Sequence, residues 1–341
     1  FSNVPGTDKP SPEQGGPTLS SRALAIVHLA LYDAHAGVVG GASLPRYLSA
    51  PVSLPPGASA AAAVAAAAHA CLSVLYPRQK PHFDLAHQKA GLSGAGLAEG
   101  HAFGLAVAGA MLADRASDPN AKDDGYAASM HPGGHRPDPA NPTLGYHAPF
   151  YGAKSKLFAV KVRHVLDPPP AIGSAQYQRA LQQVRGKGIA PELMGTLPPT
   201  FDKRTPDDTV IGLYWAYDGP RELGTPPRLY NQIVREVAKK VINPGTGKIN
   251  TEDENARLFA LVNAAMGDAG ILAWDQKYIH DFWRPVVGIR EHDSSMGPAA
   301  PSPDSAINPD CDPEWLPIGA PHSNSYVPTT GRFDKNFTPP F

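Results

Sequence analysis

Apolar residues recur three or four positions apart along much of the chain, which is the spacing of one face of an α-helix. In the first such segment Leu24, Val27 and Leu31 share this spacing, and Ser20 and Ser21 precede them as candidate helix caps. Helical spacing or helix-favouring composition predicts helices over Leu19–Gly37, Ala58–Tyr76, Gly96–Arg115, Pro206–Tyr217, Pro226–Val241, Asp253–Met266 and Ala269–Glu291. Alternation of apolar and polar residues, the pattern of strands, is weak throughout.

Long loops rich in proline and glycine separate these helices, since the chain contains 38 prolines and 33 glycines. The longest loop, over about 118–170, includes the stretch His131-Pro-Gly-Gly-His135, and loops of this length usually carry function or wrap other elements. Residues 296–341 also lack a helical period. The pattern predicts a mainly α protein of two helical bundles, with an N-terminal bundle over 1–200 and a second bundle that begins at 201.

Composition excludes several classes of protein. Thirty basic and 31 acidic residues give a net charge of -1, so nothing indicates binding to nucleic acid or to an anionic membrane surface. The longest uninterrupted apolar run, Ala60–Ala68, is far shorter than the ~20 residues of a membrane span. Two cysteines, Cys71 and Cys311, are too few for a disulfide framework or a zinc site, and they could form one bridge, pair outside the chain or stay reduced.

Two cations near the end of the helical region are the strongest chemical signal. Lys277 and Arg284 are seven residues apart, which on one helix places both on nearly the same face, about 10 Å apart along the axis. An ammonium group and a guanidinium fork so placed can converge on one tetrahedral oxyanion. Asp281 between them favours instead a solvent-exposed ion-paired helix, but neighbouring aromatic residues such as Trp274 indicate burial, and buried cations need partners.

Other candidate residues have a structural reading beside the functional one. His28, Asp33 and His35 in the first helix are more typical of core or capping residues than of catalytic ones. His131 and His135 have a ligand-like gap, but the intervening glycines argue against a helical metal site. Asp218 ends an aromatic helix before a turn, where it either closes the turn or orients a cation of the site.

Seven segments together resemble the vanadium-dependent haloperoxidases, most closely the chloroperoxidase branch. The matching stretches are Tyr146–Gly152, Tyr214–Gly219, Gly224–Gln232, Arg257–Leu261, Asp268–Gly270, Phe282–Pro285 and Leu316–Pro321. The pattern Lys-(six residues)-Arg-Pro is also the first motif of the acid phosphatase family that shares this active site. The resemblance runs from about residue 20 to residue 341.

The resemblance implies vanadate as cofactor and a role for four residues of this chain. Lys277 is similar to the lysine that binds a vanadate oxygen and polarises peroxide, and Arg284 to the first of two arginines on the vanadate. Trp274 is similar to a tryptophan beside the halide pocket, and Asp218 to an aspartate paired with the second arginine. The implied reaction is oxidation of halide by hydrogen peroxide to hypohalous acid, which halogenates an organic acceptor. A secreted protein is expected, in which the sequon at Asn336 could be glycosylated.

The chain lacks two motifs of the family. These are Pro-Ser-Gly-His and a later Arg-(five residues)-His, which supply the second arginine, the acid-base histidine and the histidine that coordinates vanadium. The direct vanadium ligand is therefore expected outside this sequence, and the second bundle is expected to be incomplete. We expect apolar side chains left without partner helices, at Tyr214, Trp215, Phe259, Leu261 and Trp283. A second polypeptide, or a further segment of the same precursor, is expected to supply the missing residues.

Two alternatives stay open. The same oxyanion site could belong to a phosphomonoesterase in which a partner histidine is the nucleophile. The chain could also be an inactive homologue that serves as a binding or structural scaffold.

Overall fold

The fold is mainly α, as the sequence predicts. In the computed structural model, the structure describes residues 13–49, 52–122, 125–129, 133–136, 146–215, 226–290, 310–312, 314–318, 326–327 and 332–333. The α-helices in this part of the chain are α1 (Gly16–Val39), α2 (Ala60–Leu75), α3 (Lys80–Lys89), α4 (Leu97–Asp114), α5 (Tyr151–Lys154), α6 (Ala175–Gly188), α7 (Pro206–Trp215), α8 (Pro226–Lys240), α9 (Glu252–His280) and α10 (Pro285–Arg290). Two 3-10 helices, Pro77–Gln79 and Pro191–Thr196, and the short antiparallel strands β1 (Tyr326–Val327) and β2 (Arg332–Phe333) complete the described elements.

The helices predicted in the first half are confirmed, but the predicted cap of the first one is wrong. Because α1 begins at Gly16, Ser20 and Ser21 lie inside it. The Ser20 hydroxyl donates to the Gly16 carbonyl at 2.7 Å and the Ser21 hydroxyl to the Thr18 carbonyl at 2.9 Å, as serines do within a helix. Helix α2 is capped by Ser59, whose hydroxyl accepts from the Ala62 amide at 3.3 Å.

The first of two compact units comprises Phe1–Ala121, Phe150–His164 and Gly224–Trp274. Its core includes α1, α2 and α4, whose contact faces are largely alanine and glycine. A side chain at Gly104 would place its Cβ 2.1 Å from the Ala63 carbonyl oxygen, so α4 approaches the α2 backbone too closely for any other residue. Small residues thus set the spacing of these helices.

The second unit comprises Lys122–Pro149, Val165–Leu223 and Asp275–Phe341. A buried apolar cluster holds it together, contributed mainly by α6, the segment after it, and α10: Tyr177, Leu181, Ile189, Leu197, Phe201, Trp283, Val286, Val287, Ile289, Cys311 and Trp315. Each unit is built from three separate segments of the chain. The predicted domains, in contrast, are continuous stretches that meet near residue 200, and that boundary stays a prediction.

The two helices predicted over 253–291 are wrong in their boundaries. Helix α9 continues without interruption from Glu252 to His280, through Gly267 and Asp268, the two residues that lie between the predicted helices. At Gly267 a Cβ would lie 2.7 Å from the Phe158 ring, so the glycine permits a close contact and the helix continues through it. The helix predicted to run on to Glu291 instead ends at His280, and α10 begins at Pro285.

Cys71 and Cys311 are both free and buried. By length and composition α9 could cross a membrane, with a mean hydropathy of 1.3 over its most apolar 18 residues, a test that core helices of water-soluble proteins also pass. The absence of a membrane span therefore stays a prediction. Most of 296–341, including the sequon at Asn336, lies outside the described residues.

Candidate oxyanion site

Lys277 and Arg284 do not lie on one helix, which corrects the geometry inferred from their spacing. Lys277 is in the last turn of α9, and Arg284 immediately precedes α10. Between them Asp281 has a φ of 46°, in the left-handed region, which turns the chain out of the helix. The physical reason is Pro285: it has no N–H to donate, and its ring disfavours helical geometry at Arg284.

The glycine-containing part of the long loop holds this break in place. The Trp283 amide donates to the Gly133 carbonyl at 2.8 Å, and the His135 amide donates to the Asp281 carbonyl at 2.9 Å. Gly134 forms an antiparallel bridge with Phe282. The backbone groups released by the end of α9 are therefore satisfied by the loop, as buried backbone groups require.

Aromatic rings surround the same segment. Tyr126 lies 4.7 Å from Tyr146 and 5.1 Å from Tyr278 between ring centroids, and His135 lies 5.4 Å from Tyr146 and 5.8 Å from Tyr278, all in edge-to-face or near edge-to-face contact. The Tyr126 hydroxyl donates to the Asp281 carboxylate at 3.0 Å, and the Tyr278 hydroxyl donates to the His147 carbonyl at 3.0 Å. These contacts anchor the loop to the segment that carries both cations.

Lys277 and Arg284 both influence the pKa of His135, and Arg284 influences the pKa of Lys277. Burial lowers the pKa of Arg284 to about 10. Burial, followed by the charge of Arg284, lowers the pKa of Lys277, although the residue as a whole keeps substantial exposure to solvent. His135 is buried, and its pKa falls to about 4 through burial and the charges of Arg284 and Lys277, against the opposing effect of Asp281. Such a positive field favours an anion.

The sequence missed His135 as a member of this site. The glycines between His131 and His135 argue against a helical metal site, and in the structure a loop brings His135 to the cations. The sequence signal for His135 is the pair of glycines before it, because glycines in a loop often mark a close approach of the backbone to another segment. The structure contains such an approach: a Cβ at Gly134 would lie 2.3 Å from the Ser129 side chain.

The remaining predicted site residues are placed as follows. Trp274 is buried in α9, three residues before Lys277. Asp218 and His131 lie outside the described residues, so their roles stay predictions.

Asp33 has the structural role expected of it, since its carboxylate accepts from the amides of Tyr47 and Leu48 at 2.5 and 2.9 Å. His35 pairs with Asp253 at 2.6 Å.

Within the described part of the chain, no group of three or more His, Cys, Asp or Glu side chains could hold a metal ion directly. An oxyanion makes a different demand, because it is bound by cations and N–H donors. The arrangement of Lys277, Arg284 and His135 meets that demand.

Comparison with known proteins gives consistent matches at the level of sequence. Residues 7–157 match the vanadium chloroperoxidase N-terminal domain, and residues 257–333 match the second helical-bundle domain of the same proteins. The chain is 36% identical over 379 residues to the vanadium chloroperoxidase of Curvularia inaequalis, an alignment that covers 96% of this chain and 58% of that protein. The chain thus spans less than two thirds of the length of this relative.

Solved structures give the same fold. A bacterial vanadium-dependent iodoperoxidase is similar with a TM-score of 0.60 at 18% identity, covering 91% of this chain and 73% of that one. A bacterial vanadium-dependent chloroperoxidase in its holo form is similar with a TM-score of 0.53 at 16% identity, covering 82% of this chain and 66% of that one. At these identities the likeness shows the fold alone.

Proposed function

Because the chain belongs to the vanadium chloroperoxidase family through its N-terminal and second helical-bundle domains, we propose that it contributes half of a vanadate site that oxidises halide with hydrogen peroxide. The product is hypohalous acid, which halogenates an organic acceptor. The observation that carries the proposal is the positive field shared by Lys277 and Arg284, two cations that the chain holds close together at a break between helices.

The residues of this site fit vanadate. The anion carries negative charge on several oxygens, and the site presents an ammonium group, a guanidinium fork and a neutral imidazole. An anion bound there would oppose the burial and the charge of Arg284 that together lower the pKa of Lys277. Vanadate, when bound, supplies a Lewis acid that activates hydrogen peroxide toward halide.

The proposal gives each residue of the site a separate role. Lys277 and Arg284 bind oxyanion oxygens, and Lys277 also withdraws charge from the peroxide as a fixed cation. The rings of Tyr126, Tyr146 and Tyr278 hold the loop in place and reduce the access of water. Trp274 borders the halide pocket and Asp218 orients the second arginine, as the family resemblance implies.

Completion of the site by residues outside this sequence is part of the proposal. A segment with Pro-Ser-Gly-His and Arg-(five residues)-His would supply the second arginine and the histidine that coordinates vanadium. It belongs either to a further segment of the precursor or to a second polypeptide. A mass measurement on the native, secreted protein tells whether the missing residues belong to the same polypeptide or to a second one. Detection of the protein only inside the producing cell would contradict secretion.

The decisive experiment measures bromide oxidation by the native assembly with and without added vanadate. We expect activity that requires vanadate, and we expect Lys277→Ala to lower turnover with peroxide by about 10²–10³-fold, more than it lowers vanadate affinity. Lys240→Ala, at an exposed lysine on α8, is the matched control and should leave both quantities unchanged. Unchanged turnover in Lys277→Ala would refute the role of Lys277.

A phosphomonoesterase activity is the second candidate, since Lys277 and Arg284 suit phosphate as well as vanadate and the Lys-(six residues)-Arg-Pro motif is shared with acid phosphatases. Release of phosphate from an aryl phosphate, inhibited by vanadate, would favour it. Absence of both activities in the complete assembly would favour the third candidate, an inactive scaffold.

A further inference from the structure

A cavity of about 670 Å³ lies within the first compact unit, and none of the residues of the oxyanion site lines it. Four helices, α1, α2, α8 and α9, form its walls. Its volume is within the range of about 300–1,000 Å³ that is typical of sites for small organic molecules.

The cavity results from the side chains that α1 and α2 present to each other. Helix α1 contributes His28, Leu31, Tyr32 and His35, which share one face because they are three, four and seven positions apart. Helix α2 faces them mainly with alanines, whose methyl groups leave the space between the helices empty: Ala60, Ala61, Ala65 and Ala68. The lining is therefore flat and apolar on one side.

Among the polar side chains that α1 contributes to this cavity, His28 is the one that remains available. Its ring stacks on Phe259, with 5.3 Å between centroids and 13° between planes. Tyr32 donates to the Pro45 carbonyl at 2.8 Å, and His35 is held by Asp253, so both are engaged. Within the part of the chain that the structure describes, neither ring nitrogen of His28 has a hydrogen-bond partner.

The charge of this cavity is close to neutral. Burial lowers the pKa of His28 to about 4, so at neutral pH its imidazole offers one N–H donor and one nitrogen acceptor. Arg235 and Glu252, both exposed, give the rim one charge of each sign. Neither the wall nor the rim therefore selects a charged ligand.

We propose that this cavity binds an uncharged aromatic molecule with one hydroxyl group, of the size of a two-ring phenol, whose hydroxyl hydrogen-bonds to His28. A planar ring fits between the alanine wall and the stacked rings of His28 and Phe259. The hydroxyl satisfies a polar group that otherwise faces an apolar space. This inference is independent of the proposed vanadate chemistry, because no residue is shared.

The test is a titration of the purified protein with 2-naphthol and, in parallel, with naphthalene, followed by calorimetry or by ligand fluorescence. We expect one saturable site, with 2-naphthol bound about tenfold more tightly than naphthalene. His28→Phe keeps a stacked ring and removes the hydrogen bond, so it should make the two affinities equal. Ala65→Phe fills the cavity and should abolish binding of both compounds.

Two further variants make the result decisive. Ala86→Phe adds the same bulk at an exposed position of α3 outside the cavity and should leave binding unchanged. If Ala65→Phe does not fold, Ala61→Phe, at the exposed edge of the same wall, takes its place.

The proposal is overturned if the wild-type protein shows no saturable binding, or if Ala65→Phe and Ala61→Phe leave it intact. It is also overturned if sedimentation shows that the wild type is a dimer, that Ala65→Phe is a monomer and that neither binds 2-naphthol. In that case a second copy of the chain covers the cavity.

Discussion

His135 illustrates how the charge state of one residue depends on its neighbours. The residue is buried beside Lys277 and Arg284, and both cations oppose protonation of its ring. The spacing of the two cations in the sequence predicts that both lie on one helix, and this is wrong, because Lys277 lies in α9 and Arg284 precedes α10. The glycines before His135 indicate a close backbone approach, but they do not say which segment the loop approaches, because about 140 residues of chain separate His135 from the cations and only folding brings them close.

This environment predicts how stability depends on pH. The pKa of His135 is about 4 in the folded chain, below its ordinary value of 6.5, so between these values the unfolded chain binds a proton that the folded chain does not. The free energy of unfolding should therefore fall as pH is lowered from 6.5 to 4 and level off below 4. The contribution of His135 is about 3 kcal/mol.

Urea unfolding between pH 4 and pH 8, followed by tryptophan fluorescence, measures this effect. His135→Gln should flatten the dependence by about that amount, and His28→Phe, which removes a second histidine with a pKa of about 4, should flatten it separately. An unchanged slope in His135→Gln would contradict the placement of His135 among the cations.

At the scale of elements, α9 shows why local sequence predicted a helix but not its ends. Its composition favours a helix on both sides of Gly267 and Asp268, and the sequence predicts two helices there, over Asp253–Met266 and Ala269–Glu291. In the structure Asp268 is buried, and its carboxylate accepts from the amides of Phe158, Ala159 and Val160 at 2.6, 2.8 and 2.7 Å. The segment at Phe158 therefore packs against α9 at Gly267 and Asp268, and the Phe158 ring leaves no room for a side chain at position 267.

Two glycine-to-alanine substitutions test this explanation. Gly267→Ala should destabilise the protein by about 1–3 kcal/mol, because its Cβ would lie 2.7 Å from the Phe158 ring, despite the higher helix propensity of alanine. Gly109→Ala, in α4, has open space around the new methyl group and should stabilise by about 0.5–1 kcal/mol. Midpoints of thermal unfolding compare the two, and equal effects would contradict the packing argument.

At the scale of the whole molecule, the expected unpartnered apolar surface is found in part. Tyr214 and Trp215 on α7 are 60% and 57% exposed, and Leu261 on α9 is 56% exposed. Phe259 and Trp283 were expected to be unpartnered as well, and this is wrong. Phe259 stacks on His28, and Trp283 is buried in the apolar cluster of the second unit.

Exposed aromatic side chains predict association of the chain when it is prepared alone. At micromolar concentrations we expect sedimentation to give a mass above 36.0 kDa. Replacement of Tyr214 and Trp215 by serine should shift the chain towards the monomer. Val74→Ser, at a 61% exposed position of α2, is the control and should have no effect. A folded monomer in all three samples would remove the evidence for a missing partner surface.

The sequence by itself determined that the protein is mainly α, where most of its helices lie and to which family it belongs, and it singled out Lys277 and Arg284 as candidate site residues. These features follow from local periodicity and from short motifs, which are written in neighbouring residues. The break at Asp281 has a local cause in Pro285, whereas the tertiary structure alone decided that the loop brings His135 to the cations and that α1 and α2 leave a cavity beside His28. Those features depend on contacts between residues far apart in the chain, and such contacts leave no periodic signal in the sequence.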